Sequence, residues 1–159
     1  MTIRKAQMND LPKILSIYQY ARDFMRKTGN PTQWGDNHPA KELLTSDIKK
    51  GDLYILEDND ILAVFALIYG ADPTYGYIEG QWLNDEPYVT IHRIASSGIC
   101  KGALPHCVDY ALSVCDNLRI DTHHDNKVMQ HLLDKYGFSK CGIIYLENGD
   151  PRIAYQKTK

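Results

Sequence analysis

The segment 89–138 limits the possible folds of this chain more than any other stretch. Residues 89–95 are rich in β-branched and apolar side chains and predict a strand, and the small residues of 96–103 predict a loop. Apolar side chains then recur with helical spacing at Leu104, Cys107, Val108, Ala111, Leu112 and Cys115. Residues 118–122 predict a second strand. Two strands joined by a helix run parallel with a right-handed crossover, so an α/β fold is expected.

The loop before the predicted helix has the features of a phosphate-binding turn. The first N–H groups of a helix have no partner within the helix, and the helix dipole adds positive charge at that end. Pro105 fits the first turn, because its missing N–H would be unbonded there in any case. A phosphate-bearing ligand is therefore a candidate occupant of this end of the helix.

The remaining segments extend the α/β pattern in both directions. Helices are predicted at residues 11–27 and 40–50 and between Asn126 and Gly137, and strands at residues 2–5, 53–56, 61–68, 138–145 and 152–156. The stretch 69–88 is irregular. The predicted order is therefore β-α-α-β-β-β-α-β-α-β-β. We expect one domain over residues 1–159, with a mixed central sheet of about six or seven strands and about four helices on its two faces.

Composition narrows the functional classes. The net charge of −2 gives no reason to expect nucleic acid or an anionic membrane as a partner. No apolar run approaches the roughly 20 residues that span a bilayer, and the first residues lack the apolar stretch of a signal peptide. The cysteines show no metal-binding spacing, and Cys107 and Cys115 fall on one apolar helix face, which favours reduced thiols in the core. We therefore expect a cytoplasmic protein.

Three short motifs occur together in these segments: the strand sequence HRIAS at 92–96, the turn Lys101-Gly102-Ala103 into a helix, and Asn126 followed eleven residues later by Gly137-Phe138. With them, the chain resembles the GNAT superfamily of N-acetyltransferases over essentially its whole length. The resemblance implies a GNAT-like fold, acetyl-CoA as co-substrate without a metal, and direct transfer of an acetyl group to an amine.

The resemblance also implies which residues hold the co-substrate. The pantetheine arm of acetyl-CoA would bond the backbone of Ile94, Ala95 and Ser96, the pyrophosphate would bind at Lys101, Gly102, Ala103 and Leu104, and Asn126 would open the next helix beside the ligand. The amide of Ser96 or Ala95 would polarise the thioester carbonyl. Family members often use a tyrosine to protonate the departing thiolate, and the matching position here is Leu133.

The loop keeps only the middle glycine, Gly102, of the family pattern Gln/Arg-x-x-Gly-x-Gly/Ala. Ile99 takes the first position, Leu104 brings a branched side chain to where the backbone should approach the phosphate, and Pro105 removes an N–H donor. Lys101 offers a compensating positive charge. These differences leave a catalytically impaired, coenzyme A-binding module as an alternative to an active transferase.

Acetyl transfer to an amine requires a base that removes the ammonium proton. His92 is the first candidate, because histidine is the side chain whose ordinary pKa lies nearest neutrality. It stands two residues before Ile94, so strand alternation predicts that both side chains face the same side of the sheet. Glu79 is the second candidate base, and Tyr136 is a candidate acid for the leaving thiolate. Purely structural roles remain open for all three candidates.

Large aromatic side chains in the irregular segments predict an acceptor site. Trp34, Tyr77 and Trp82 would line it, or would instead plug the ends of the sheet. The acceptor is expected to be a small-molecule or peptide amine. The protein is expected to be a monomer or a homodimer.

A different class of function rests on the sequence Asp121-Thr122-His123-His124-Asp125. Strand alternation would place Asp121 and His123 on one face, and His131 from the next helix would complete a metal site. The corresponding alternative is a metal-assisted hydrolase.

Overall fold

A computed structural model describes residues 1–99 and 101–159, and Cys100, in the predicted loop, lies outside the described residues. The strands are β1 (Thr2–Lys5), β2 (Leu53–Glu57), β3 (Ile61–Tyr69), β4 (Glu79–Gly80), β5 (Val89–Ser96), β6 (Asn117–Thr122), β7 (Ser139–Tyr145) and β8 (Pro151–Thr158). The helices are α1 (Leu11–Lys27), α2 (Lys41–Lys50), α3 (Ala103–Val114) and α4 (Lys127–Lys135). The α/β class is confirmed. Across the described ranges, none of these helices is long and apolar enough to cross a membrane.

The strands form one mixed sheet in the order β1-β2-β3-β5-β6-β8-β7-β4. β5 and β6 are parallel and are joined through α3, as predicted, whereas the other neighbouring pairs are antiparallel. Eight strands are described rather than the expected six or seven, because β4 has two residues and is too short to show an alternating pattern. A Cβ on Gly80 would lie 2.2 Å from the carbonyl oxygen of Cys141, so glycine permits the close approach of β4 to β7.

β5 and β6 separate after a short stretch of pairing. The paired residues are Val89 with Leu118 and Thr90 with Arg119. Both strands then continue, β5 through residues 91–96 and β6 through residues 120–122, without further pairing between them in the described part of the chain. A gap therefore opens in the middle of the sheet, on the side where both strands end.

Two apolar layers hold the helices to the sheet. On one face, α3 and α4 pack through fully buried side chains such as Cys107 and Leu133. On the other face, α1 and α2 pack through Ile14 and Leu44, which are also fully buried. The apolar face predicted for α3 contacts the sheet from Leu104 to Leu112. Cys115 was predicted on the same face but is the extended C-cap residue beyond α3, and it is only partly buried.

A β-bulge interrupts β5 next to the gap. The register pairs Ala95 with Val64 but His92 with Ala66. β5 therefore carries one residue more than β3 between these pairs, and its alternation shifts by one position. Ile94 packs against the α3 layer and Ala95 against the α1 layer. Since His92 shares the face of Ala95, the prediction that His92 and Ile94 face the same side is wrong.

The bulge is held by contacts from both helices of one face. Arg93 has a left-handed backbone with φ 54°, which is costly for a residue other than glycine. The hydroxyl of Tyr18, on α1, donates a hydrogen bond to the carbonyl oxygen of Arg93 at 2.6 Å. The guanidinium of Arg93 donates to the carboxylate of Asp47, on α2, at 2.8 Å. Asp47 is only 4% exposed, so this ion pair is shielded from water.

Replacing Asp47 by alanine should destabilise the protein, because the charge of Arg93 then stays largely buried without a partner. We expect the free energy of unfolding, measured by urea denaturation, to fall by about 2–4 kcal/mol. Glu42→Ala, at an exposed position of the same helix, should change it by less than about 0.5 kcal/mol. Small and equal effects of the two variants would contradict the anchoring role of the ion pair.

Candidate active site

A cavity of about 420 Å³ occupies the gap between the separated parts of β5 and β6. Its wall includes His92, Asp121 and Arg152 from the sheet. Trp34, from the segment between α1 and α2, and Asn126, from the start of α4, complete the wall on the helical side. Trp34 therefore lines the same cavity as His92, and its role in binding an acceptor stays a prediction.

The sheet register places three titratable side chains in a row on one face. The relevant pairs are Thr90 with Arg119, between β5 and β6, and Asp121 with Ala154, between β6 and β8. Residues that pair directly face the same side, and so do residues two positions apart on one strand. His92, Asp121 and Arg152 consequently project from the same face of three neighbouring strands.

His92 is oriented by a carboxylate from the loop after β3. Its Nε2 lies 2.9 Å from Oδ2 of Asp72. Burial raises the pKa of Asp72, but hydrogen bonds from His92 and Thr74 outweigh burial and hold that pKa at about 2. Asp72 is therefore ionised near neutral pH and accepts a hydrogen bond from the N–H at Nε2. The neutral ring then keeps Nδ1 unprotonated, as a base requires.

Asp121 is a partly buried carboxyl that accepts one strong hydrogen bond. The hydroxyl of Tyr75 donates to its Oδ2 at 2.6 Å, and the ring of Tyr75 lies 6.2 Å from the ring of His92. Burial raises the pKa of the Asp121 carboxyl and also raises the pKa of the Tyr75 hydroxyl. The site thus has two carboxyls in opposite electrostatic settings. Burial disfavours the anion of Asp121, which lines the cavity, whereas hydrogen bonds favour the anion of Asp72, which contacts His92.

Two further cavities continue from the gap towards the start of α3. One, of about 220 Å³, lies between α1, β5 and α4, and it shares Asn126 and Met129 with the first cavity. The other, of about 420 Å³, reaches the loop. Its lining contains the strand and loop residues predicted to hold acetyl-CoA: Ile94, Ala95, Ser96, Lys101, Gly102, Ala103 and Leu104. The fold therefore brings these positions together along one surface.

The backbone groups of β5 divide between β3 and the gap. Ser97 donates its N–H to the carbonyl oxygen of Leu62 at 2.9 Å. Alternation along an antiparallel ladder then directs the N–H of Ala95 towards β3 and those of Ile94 and Ser96 into the gap. Of the two amides predicted to polarise a carbonyl, that of Ser96 has the required direction and that of Ala95 does not.

The start of α3 is an accessible helix N-terminus. Gly102 is the N-cap and has φ 83°, a left-handed conformation that glycine adopts without strain. Leu104 is 6% exposed and packs in the core beneath the loop. Leu104 also lines the loop cavity, so its expected obstruction of a bound phosphate stays a prediction.

The other two candidate catalytic residues lie apart from His92. Glu79 is exposed on β4, at the edge of the sheet. Tyr136 caps the C-terminus of α4 and lines the loop cavity rather than the gap. Neither side chain is placed beside the His92–Asp72 pair.

Two of the three predicted acceptor aromatics occupy other positions. The indole Nε1 of Trp82 donates to the carbonyl oxygen of Tyr75 at 3.1 Å, and the ring covers the guanidinium of Arg119, which lies 4.0 Å from its centroid. Tyr77 is 65% exposed and contacts the ring of Tyr145. Trp82 therefore fits the alternative prediction that aromatic side chains close an end of the sheet.

The predicted metal ligands Asp121 and His123 do not converge. Among the residues that the structure describes, the candidate ligand atoms that cluster belong to His123, His124 and Asp125. The backbone N–H of Asp125 donates to Nδ1 of His123 at 3.0 Å and so occupies the lone pair that a metal would need. His131 lies outside this cluster, at an exposed position on α4.

Sequence reasoning did not identify Asp72, Tyr75 and Arg152. Arg152 lines the cavity, whereas Asp72 and Tyr75 contact His92 and Asp121, which line it. Asp72 and Tyr75 lie in the irregular stretch 69–88, where no periodicity indicates the direction of a side chain. The sequence did contain a signal for Arg152, because strand alternation places it on the same face as Ala154 and Gln156, which are buried.

Comparison with solved structures finds proteins that are similar to this chain over almost its whole length. The chain is similar to a GNAT-family acetyltransferase from Streptococcus agalactiae, with 36% identity over 99% of this chain and 95% of that chain and a TM-score of 0.87. It is also similar to a provisionally named acetyltransferase from Staphylococcus aureus, with 28% identity over 99% of both chains and a TM-score of 0.72. A ribosomal-protein-alanine N-acetyltransferase from Brucella melitensis shares the fold, with 17% identity over 100% of both chains and a TM-score of 0.64. No protein-family model and no curated protein sequence matches the chain.

The buried carboxyl of Asp121 should make stability depend on pH. Folding raises its pKa above the ordinary value of 3.8, so the native state binds more protons and its stability falls as pH rises from about 4 through the native pKa. Asp121→Asn removes this loss. We expect the free energy of unfolding of Asp121→Asn minus that of the wild type to increase with pH, measured by urea denaturation at a series of pH values.

The exposed Asp85 provides the control for that experiment. Asp85→Asn removes a carboxylate of the same charge from a solvated loop and should follow the wild type at every pH. A difference for Asp121→Asn that stays constant across the series would contradict the burial of a proton-retaining carboxyl.

Proposed function

The chain belongs to the GNAT family of acetyltransferases, and we propose that it transfers the acetyl group of acetyl-CoA directly to an amine. The observation that carries this proposal is the run of three adjoining cavities from the start of α3, along the separated edge of β5, to His92. A long phosphate-bearing thioester suits the α3 end of this run, and an amine suits the end with a base.

The loop and the first turn of α3 support binding of the pyrophosphate. The amides of Ala103 and Leu104 open the helix, where unpaired N–H groups and the helix dipole favour an anion. The ammonium of Lys101 adds a positive charge beside them. The N–H and C=O groups of Ile94 and Ser96 face the gap, so an extended amide-containing arm bonds there much as a neighbouring strand would.

His92 supplies the base in the proposed reaction. Its Nδ1 removes the proton of the amine as the amine nitrogen attacks the thioester carbonyl carbon. Asp72 holds the ring through Nε2 and stabilises the imidazolium that forms, because its carboxylate remains ionised at neutral pH. Asp72 is thus a positioning residue for His92.

The remaining steps need a donor for the developing oxyanion and a departing thiolate. The N–H of Ser96 or of Ile94 supplies the donor, because both point into the gap. Collapse of the tetrahedral intermediate forms the amide and breaks the C–S bond, and the coenzyme A thiolate takes its proton from water. No side chain is assigned as general acid, since fully buried Leu133 stands where the family often has a tyrosine.

One specific observation favours the alternative of a coenzyme A-binding module without turnover. The position that often carries the acid holds Leu133, which is part of the core. Binding of acetyl-CoA without acetyl transfer to any amine tested would select this alternative. The metal-assisted hydrolase has less support, because hydrogen bonding already occupies Nδ1 of His123.

His92→Ala should lower kcat/KM for acetyl transfer at neutral pH by about 100-fold or more, because the base is removed. Release of coenzyme A, followed with a thiol reagent from pH 6 to 9, measures the effect. His131→Ala, an exposed histidine on α4, is the matched control and should retain wild-type activity. Equal activity of His92→Ala and the wild type across this range would exclude His92 as the base.

Lys101→Ala should weaken binding of acetyl-CoA about two- to fivefold, because an exposed charge beside the pyrophosphate is lost. Isothermal titration with acetyl-CoA and with desulfo-coenzyme A measures this effect, which should shrink as salt is added. Lys49→Ala, exposed on α2, is the control and should bind as the wild type does. Failure of the wild type to bind either ligand at millimolar concentration would refute the proposed function.

A further inference from the structure

Arg152 brings a buried positive charge into the gap cavity. The residue is 7% exposed and lines the cavity together with His92 and Asp121. Within residues 1–99 and 101–159 its hydrogen bonding is limited to one donation from Nη1 to the carbonyl oxygen of Pro151, at 2.9 Å. The other N–H groups of the guanidinium have no acceptor among these residues, although an arginine carries five donors.

The other charges around the cavity already have partners. Arg93 is paired with Asp47, and His92 is paired with Asp72. Asp121 accepts a hydrogen bond from the hydroxyl of Tyr75, and burial raises the pKa of the Asp121 carboxyl.

Asp150, at the rim, is exposed and within hydrogen-bonding distance of the side-chain amide of Asn148. No carboxylate oxygen of the described residues lies within ion-pair distance of Arg152. Burial lowers the pKa of the Arg152 guanidinium, and Asp121 and Asp150 attract its charge without pairing with it, so a ligand anion in direct contact would stabilise it further.

We propose that Arg152 binds a carboxylate of the acceptor, so that the acceptor is an α-amino acid or a similarly small amine that bears a carboxylate. The inference rests on the proposed function, because it concerns the acceptor end of the same cavity. Guanidinium and carboxylate match as a planar, bidentate pair, which orients the bound molecule as well as attracting it.

The row of side chains on the sheet face fits such a molecule at both ends. Arg152 on β8 receives the carboxylate, and His92 on β5 receives the amine proton. Asp121 on β6 lies between them, and its Oδ2 already accepts a hydrogen bond from the hydroxyl of Tyr75. A polycationic acceptor would instead call for several ionised, unpaired carboxylates along the wall.

The test compares acceptors that differ only in charge. The wild type, Arg152→Gln and Arg152→Lys are assayed with acetyl-CoA and each of the twenty amino acids, and then with the amide of every amino acid accepted. The wild type should prefer the acid over its amide by about 10- to 100-fold in kcat/KM. Arg152→Gln should lose this preference through a higher KM for the acid, and Arg152→Lys should recover part of it.

Two measurements separate this inference from the proposed function. N-acetyl amino acids, the expected products, should bind the cofactor-free wild type about tenfold or more tightly than they bind Arg152→Gln, by calorimetry. The denaturation midpoint of Arg152→Gln should not fall below that of the wild type, because an unpaired buried charge is removed, whereas a structural arginine would show a large fall. Lys140→Gln, exposed on β7, controls for loss of one positive charge.

The outcomes are distinguishable. Transfer to amines with no preference for a carboxylate, or only to polyamines, would overturn the role of Arg152 and leave the acetyltransferase intact. Absence of acetyl-CoA binding together with Arg152-dependent binding of N-acetyl amino acids would support the anion site and refute the transferase. Equal binding of these products by the wild type and Arg152→Gln would overturn the inference in either case.

Discussion

The separation of β5 from β6 is the structural constraint on which the site depends. A strand inside a sheet normally has both of its edges paired, because buried N–H and C=O groups need partners. Beyond Thr90, β5 pairs with β3 alone among the described residues, so an open strand edge lies in the middle of the molecule. An extended ligand that carries amide groups would satisfy that edge. The proposed binding of acetyl-CoA along β5 therefore depends on the sheet topology more than on any single side chain.

The bulge at Arg93 couples this open edge to the proposed base. By adding one residue to β5, it directs Ile94 towards the α3 layer while His92 and Ala95 face the α1 layer. The left-handed backbone of Arg93 is unfavourable by itself and persists because Tyr18 and Asp47 hold it from two helices. Two helices that are distant in sequence therefore fix the bulge, and the bulge sets the directions of His92 and of the backbone N–H groups that follow it.

Periodicity was enough to predict the class of fold but not the geometry of the site. The crossover from β5 through α3 to β6 has long apolar repeats, so its elements and parallel direction were predictable. The bulge was not predictable, because the sequence around Arg93 is typical of an ordinary strand. The conformation of Arg93 depends on Tyr18 and Asp47, which are remote in sequence.

Two carboxyls at the site have opposite electrostatic settings although they are the same functional group. Asp72, which contacts His92, receives hydrogen bonds from His92 and from Thr74, and these donors outweigh its burial and favour the anion. Asp121, which lines the cavity, receives one hydroxyl, and there burial dominates and raises the pKa. Groups whose surroundings separate their pKa values in this way are well suited to divided roles in proton transfer. Asp72 is hydrogen-bonded to His92, and burial disfavours the anion of Asp121. The guanidinium of Arg152 can therefore pair with an anionic molecule that binds in the gap.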